Sequence, residues 1–134
     1  MADNPLSRFK QYKKWDLERL IDASAELCKI LPCPVPMVTN SPTRYKQATG
    51  YNVGRALGRT CHSPFVIYVG TRKRSTRSKW AFREPGDVLG ILIHEFVHLT
   101  WPNMPHGARF SGYVRRIYDG DIPKKRMAKK GEST

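Results

Sequence analysis

From Glu84 to Thr100 the chain reads Glu-Pro-Gly-Asp-Val-Leu-Gly-Ile-Leu-Ile-His-Glu-Phe-Val-His-Leu-Thr, and this stretch constrains the fold more than any other. Glu84-Pro85-Gly86-Asp87 has the character of a helix start, with an acidic residue in the first turn. Leu89, Ile91, Leu92, Ile93, Phe96, Val97 and Leu99 then make the helix apolar nearly all round. Such a helix is buried, so the rest of the chain must be arranged about it. Polar groups inside a core are costly unless paired. His94, Glu95 and His98 therefore need a reason to be there.

Their spacing supplies one. Histidines at i and i+4 lie on one helical face, about 5–6 Å apart at Cβ. Both imidazoles can then reach one tetrahedral zinc at about 2.0–2.1 Å. Glu95, next to the first ligand, is placed to take a proton from a metal-activated water rather than to bind the metal. A catalytic zinc needs a third protein ligand and an open position. His106 follows His98 after seven residues, across a loop bracketed by Pro102 and Pro105. The expected metal ligands are thus His94, His98 and His106, with Zn2+ as cofactor and Glu95 as general base. His62, the remaining histidine, has no assigned role.

The other elements follow from periodicity and punctuation. Residues 5–31 read as helical, with Leu17, Leu20, Ile21, Leu27, Cys28 and Leu31 on one stripe. Asn4-Pro5 could open an earlier turn, and Pro32-Cys33-Pro34 stops the helix. Val35–Asn40 and Phe65–Val69 read as strands, the second more clearly. Ser41-Pro42-Thr43 reads as a turn. Residues 44–61, punctuated by Gly50, Gly54 and Gly58, are harder to place, with Ala56–Cys61 a strand candidate bulged at glycine. Residues 71–83 read as a basic loop. A last helix is expected over His106–Tyr118, with Phe110, Tyr113, Val114 and Ile117 inward. The expected organisation is one domain over residues 1–122 and a basic, disordered tail over 123–134.

Charge narrows the partners. Lys and Arg number 24 against 11 Asp and Glu, a net charge of +13. A field of that sign attracts polyanions, nucleic acid foremost. The expected contacts are Arg72, Lys73, Arg74, Arg77 and Lys79 in the loop and Lys124, Lys125 and Arg126 in the tail. Trp80 and Phe82, interleaved with the loop cations, could stack on bases. No apolar run is long enough for a membrane span, and no secretory signal is seen at the N-terminus. The three cysteines, Cys28, Cys33 and Cys61, form no CxxC pair. An odd count argues against a disulfide framework and for a reducing, intracellular setting, cytoplasmic or nuclear. The chain is expected to act as a monomer.

His94-Glu95-Phe96-Val97-His98 followed by His106-Gly107-Ala108-Arg109-Phe110 resembles the SprT-like metallopeptidases, which include the Spartan proteases. Ala56-Leu57-Gly58-Arg59-Thr60-Cys61, Ile67-Tyr68-Val69 and the apolar run Val88–Ile93 are weaker matches, and together the likeness covers residues 17–118. The resemblance implies an α+β, zincin-like domain with a three- to four-stranded sheet packed on an N-terminal helix and a buried HExxH helix. It implies zinc on His94, His98 and His106, with Glu95 as general base. Spartan-type members cleave proteins crosslinked to DNA, with DNA as the activating platform. The interval between the second and third ligands here is shorter than in Spartan and closer to the related YgjP and WLM-type peptidases. No zinc ribbon or recruitment motif is evident.

The expected function is zinc-dependent peptide-bond hydrolysis on DNA-bound or DNA-crosslinked proteins. The substrate would lie along an edge strand, Ala56–Cys61 or Phe65–Val69. Tyr113 or Arg109 would be the oxyanion donor. Two alternatives stand beside this. One is a metal-dependent ribonuclease resembling YbeY, whose motif lacks the glutamate after the first histidine. The other is a non-catalytic nucleic-acid-binding module with a structural zinc, which would need a fourth ligand.

Overall fold

The computed structural model describes residues 4–12, 14–74, 80–82 and 85–121. Its centre is the helix expected from the apolar run, α3 (Pro85–Thr100). Pro85 suits the first helical position because its missing N–H has no partner there to lose. Val88, Leu89, Leu92, Ile93, Phe96 and Val97 are all fully buried. They are covered on different sides by the sheet, by the last helix, by the N-terminal helix and by a 3-10 turn, Ser7–Gln11, whose Phe9 joins the core. An all-round apolar helix is satisfied only by being surrounded.

The N-terminal helix is interrupted, where the sequence suggests one run over 5–31. After the 3-10 turn the chain restarts as α1 (Leu17–Ile30), capped by Asp16, whose side chain accepts from Arg19 N at 2.9 Å. A new cap at Asp16 satisfies first-turn donors that a continuous helix would leave to the preceding turn. Leu20, Ala23 and Leu27 are buried, while Leu17 and Ile21 stay exposed. Asn4 opens the chain differently from a simple cap. Its Oδ1 accepts from Leu6 N at 2.9 Å, and its Nδ2 donates to the Tyr118 carbonyl at 3.0 Å, fastening the start of the chain to the last helix.

Three strands form the main sheet, β1 (Met37–Thr39), β2 (Gly58–His62) and β3 (Phe65–Val69), in the order β1-β3-β2. β3 is central, parallel to β1 and antiparallel to β2. Between β1 and β2 the chain forms a helix, α2 (Pro42–Thr49), where the sequence suggests a turn and then no clear element. Ser41 caps it by accepting from Arg44 N, Pro42 takes its first position, and Gly50 closes it at φ 83°. Those end signals stand in the sequence. They are obscured because only Tyr45 of the helix is buried, so no apolar stripe marks it.

The basic segment after Thr71 is a hairpin rather than a plain loop. β4 (Arg72–Arg74) pairs antiparallel with β5 (Trp80–Phe82), Arg74 opposite Trp80. Arg77 and Lys79, between the two strands in sequence, and Lys124, Lys125 and Arg126 lie outside the described residues. The last helix, α4 (Ala108–Tyr118), begins two residues later than the sequence suggests. His106 therefore stands in the preceding loop. The architecture is α+β, with four α-helices and a small mixed sheet among the described residues. Among the described residues no helix is long and apolar enough to cross a membrane.

Candidate metal centre

His94 and His98 sit one turn apart on α3, with their Nε2 atoms 3.2 Å apart. His106 reaches back from the loop after α3, placing its Nε2 2.8 Å from that of His98. The ligand nitrogens of all three lie within 4.8 Å of one another. Bonds of about 2.0–2.1 Å at tetrahedral angles would set such nitrogens about 3.3 Å apart. The donor set also fits a cation on chemical grounds. A shared proton can satisfy one pair of facing imidazole nitrogens, whereas a metal ion satisfies all three lone pairs at once. The histidines are thus close enough to bind a metal ion.

The surroundings of His94 and His98 keep those two in the ligating form. Burial, followed by the neighbouring histidine charges, pushes the His98 imidazole down to about 4. Burial and then His106 lower His94 as well. Neutral imidazole is the form that binds metal. Beneath the cluster lies Phe110 of α4, its ring centroid 4.6 Å from His94, 4.6 Å from His98 and 4.9 Å from His106. One aromatic side chain therefore packs against all three rings and limits where each can turn. This gives the Phe of His106-Gly107-Ala108-Arg109-Phe110 a physical purpose.

Glu95, the residue after His94, packs against β2 and shares the wall of one groove with His94. It is 5% exposed, an unusual burial for a carboxylate. Thr60 Oγ1 lies 2.7 Å from Glu95 Oε1 and 3.1 Å from the Glu95 carbonyl oxygen. Burial raises the Glu95 carboxyl to about 7, against the opposing pull of the Thr60 hydrogen bond and the Arg59 charge. Gly58 makes this packing possible. A Cβ there would come within 2.7 Å of Glu95 Oε2 and 2.9 Å of Ile91 Cγ2, so a larger residue would push the carboxylate away.

Beside Glu95 and His94 runs an open groove of about 620 Å³, lined also by Leu57, Gly58, Asp87, Gly90 and Ile91. A second hollow, about 430 Å³, lies on the α4 side of His94, walled by Phe110, Ser111, Val114, Arg115, Tyr118 and Asp119. Among the described residues β2 pairs with β3 alone, so it carries a free strand edge at the groove. β3 is hydrogen-bonded on both sides, so of the two strands considered for a substrate, Phe65–Val69 is excluded and Gly58–His62 remains.

Comparison with family models, characterised proteins and solved structures finds no match. The assignment therefore rests on the geometry of the site.

The expected residues divide clearly. His94, Glu95, His98 and His106 are brought together. Tyr113 is buried, with its ring 5.5 Å from Trp101 and the Arg109 guanidinium 5.7 Å from its centroid. Neither Tyr113 nor Arg109 lines the groove or the second hollow. Tyr113 is turned into the core, where it packs on Trp101, and Arg109 is exposed. The nucleic-acid candidate described in full is Arg72, which is exposed at the start of β4.

Sequence reasoning gives no part to Thr60 or His62. His62 Nε2 lies 3.0 Å from the His98 carbonyl, joining the end of β2 to the turn that carries the second histidine. The available signal is alternation along β2, which has meaning only once the face turned toward α3 is known.

Proposed function

We propose that this protein is a zinc-dependent peptidase with a zincin-like active site, acting on proteins associated with nucleic acid. The observation that carries the reading is the convergence of His94, His98 and His106 while Glu95, the residue after His94, is buried at the wall of a groove beside a strand edge that is unpaired among the described residues. Among the described residues the metal-binding group has three members. Three protein ligands favour an open, catalytic site over a closed structural one. Glu95 directly after the first histidine favours peptidase chemistry over the ribonuclease alternative.

Zinc bound there would polarise a carbonyl and make a water acidic near neutral pH. The chain's own residues would do the rest. A peptide adding to the free edge of β2 would lie in the groove with its backbone held by strand hydrogen bonds. Glu95 would accept the proton of the attacking water and deliver it to the departing amine nitrogen. A carboxyl near pKa 7 is suited to both transfers at neutral pH. Leu57 and Ile91 would offer apolar contact to substrate side chains, and Asp87 would favour basic ones.

Nucleic acid as the setting is supported by the net charge of +13 and by the Arg72-Lys73-Arg74 strand. The order of motifs shared with SprT-like peptidases supports the same reading. The test is elemental analysis of purified protein, paired with cleavage of a protein substrate with and without DNA. Stoichiometric zinc with cleavage that Glu95→Gln abolishes supports the proposal. Metal-free protein without proteolysis, after zinc is offered, overturns it.

A further inference from the structure

β2 meets α3 through one face only. Residues 58, 60 and 62 share that face because side chains alternate along a strand. Gly58 underlies the Glu95 carboxylate, the Thr60 hydroxyl reaches Glu95 Oε1 at 2.7 Å, and His62 reaches the His98 carbonyl at 3.0 Å. Three alternate positions of an otherwise half-exposed strand are thus applied to the proposed base and to the second ligand.

Building on the peptidase reading, we propose that Thr60 is a positioning residue for Glu95, holding Oε1 so that Oε2, over Gly58, is the oxygen turned to the groove. A carboxylate can rotate about its last bond, and without a partner either oxygen could face the metal. The Thr60 hydroxyl removes that freedom by donating to one of them. Its β-branch restricts the side chain to few rotamers, so the hydroxyl is held in place rather than merely nearby. The Glu95 main-chain carbonyl, 3.1 Å from the same Oγ1, offers the hydroxyl proton a second acceptor. When Glu95 takes a proton, the hydroxyl can turn to that carbonyl with no movement of the strand.

Gly58 completes the device. Oε2 occupies the space that a side chain at position 58 would need, at 2.7 Å from its Cβ. Thr60 and Gly58, two residues apart, therefore set the two oxygens of one carboxylate by a donor and by a vacancy. The metal-binding group is His94, His98 and His106, so Thr60 and Gly58 act on the base and not as ligands.

The experiment compares Thr60→Val, which deletes the hydroxyl and keeps the shape, with Thr60→Ser, which keeps the hydroxyl. Each is assayed for zinc content, for kcat and KM on an unstructured protein substrate, and for affinity toward acetohydroxamate. That probe chelates the metal while its hydroxyl proton passes to a neighbouring carboxylate, so it reports on Glu95 without turnover. Thr60→Val should keep its zinc and its KM and lose roughly 10–100-fold in kcat, the usual cost of removing a partner that orients an active-site group. Acetohydroxamate affinity should fall alongside, and Thr60→Ser should recover most of both.

Wild-type kcat and acetohydroxamate affinity in Thr60→Val would overturn the proposal, as would a serine variant as impaired as the valine one. Loss of zinc in Thr60→Val overturns it too, by making Thr60 a prop for the helix. If the valine variant does not fold, Thr60→Ala carries the same expectations. A zinc-loaded wild type that cleaves nothing refutes the peptidase reading. The acetohydroxamate comparison still decides the role of Thr60 in that case, with equal affinities ruling against it and a serine-rescued loss in favour.

Discussion

Replacing Glu95 by Gln tests the burial of the carboxylate separately from its chemistry. Gln keeps the shape and can still accept from Thr60, but it carries no charge. Burial raises the Glu95 carboxyl from 4.5 to about 7. A group whose folded pKa is raised contributes stability that is fully present below its unfolded pKa and is lost as pH rises through the folded one. A tenfold change in proton affinity is worth about 1.4 kcal/mol. In the metal-free protein, the Glu95 contribution should therefore fall by about 2–3 kcal/mol between pH 5 and pH 8. Glu95→Gln has no such loss. His98 runs the opposite way: with its pKa pushed down to about 4, its contribution is lost as pH falls from about 6.5 toward 4. Both proteins share that histidine, so it cancels in the comparison. The assay is urea unfolding of EDTA-treated wild type and Glu95→Gln at both pH values. The variant should gain on wild type by about 2–3 kcal/mol on going from pH 5 to pH 8. A difference that does not change with pH would show that Glu95 is not ionising inside a desolvated site. With zinc restored, the same variant should keep its metal and lose at least about 100-fold in proteolysis, the low end for removing a general base.

His106→Ala should remove stoichiometric zinc, read by elemental analysis, while leaving the secondary structure by circular dichroism; full zinc retention would remove His106 from the ligand set. Phe110→Ala opens a hole under three imidazoles and should cost about 3–5 kcal/mol in urea unfolding of the metal-free protein; a loss below about 1 kcal/mol would mean the ring is not packed as described. Gly58→Ala should keep zinc, destabilise by about 1–3 kcal/mol through overpacking and abolish cleavage; wild-type activity would show that Glu95 can move aside. Binding of single-stranded DNA should weaken steeply with added salt, and a flat response in a filter-binding titration would exclude phosphate contacts.

How much of this is legible in the sequence depends on the range of the interaction. The helix carrying His94, Glu95 and His98 is readable because an apolar run with an i, i+4 pair is a local pattern, and Pro85 and Thr100 bound it as expected. β3 is readable for the same reason, Phe65–Val69 being uniformly apolar or aromatic. α2 escapes a sequence reading because it buries little, and its two end signals, Ser41-Pro42 and Gly50, also suit ordinary turns. The break before α1 escapes it because Asp16, a good cap, sits next to Trp15, a large apolar residue that itself fits a helical stripe.

What the order of residues determined by itself is the set of histidines and the helix that presents two of them, since covalent spacing alone puts those on one face. What only the tertiary structure decided is how Glu95 is held, because Thr60 lies 35 residues away in the chain and meets it through the face of a strand. It also decided which strand keeps a free edge and which aromatic rings go to the core rather than to the site. Such contacts depend on how elements are stacked, and stacking follows from burial summed over the whole chain, which no local spacing records.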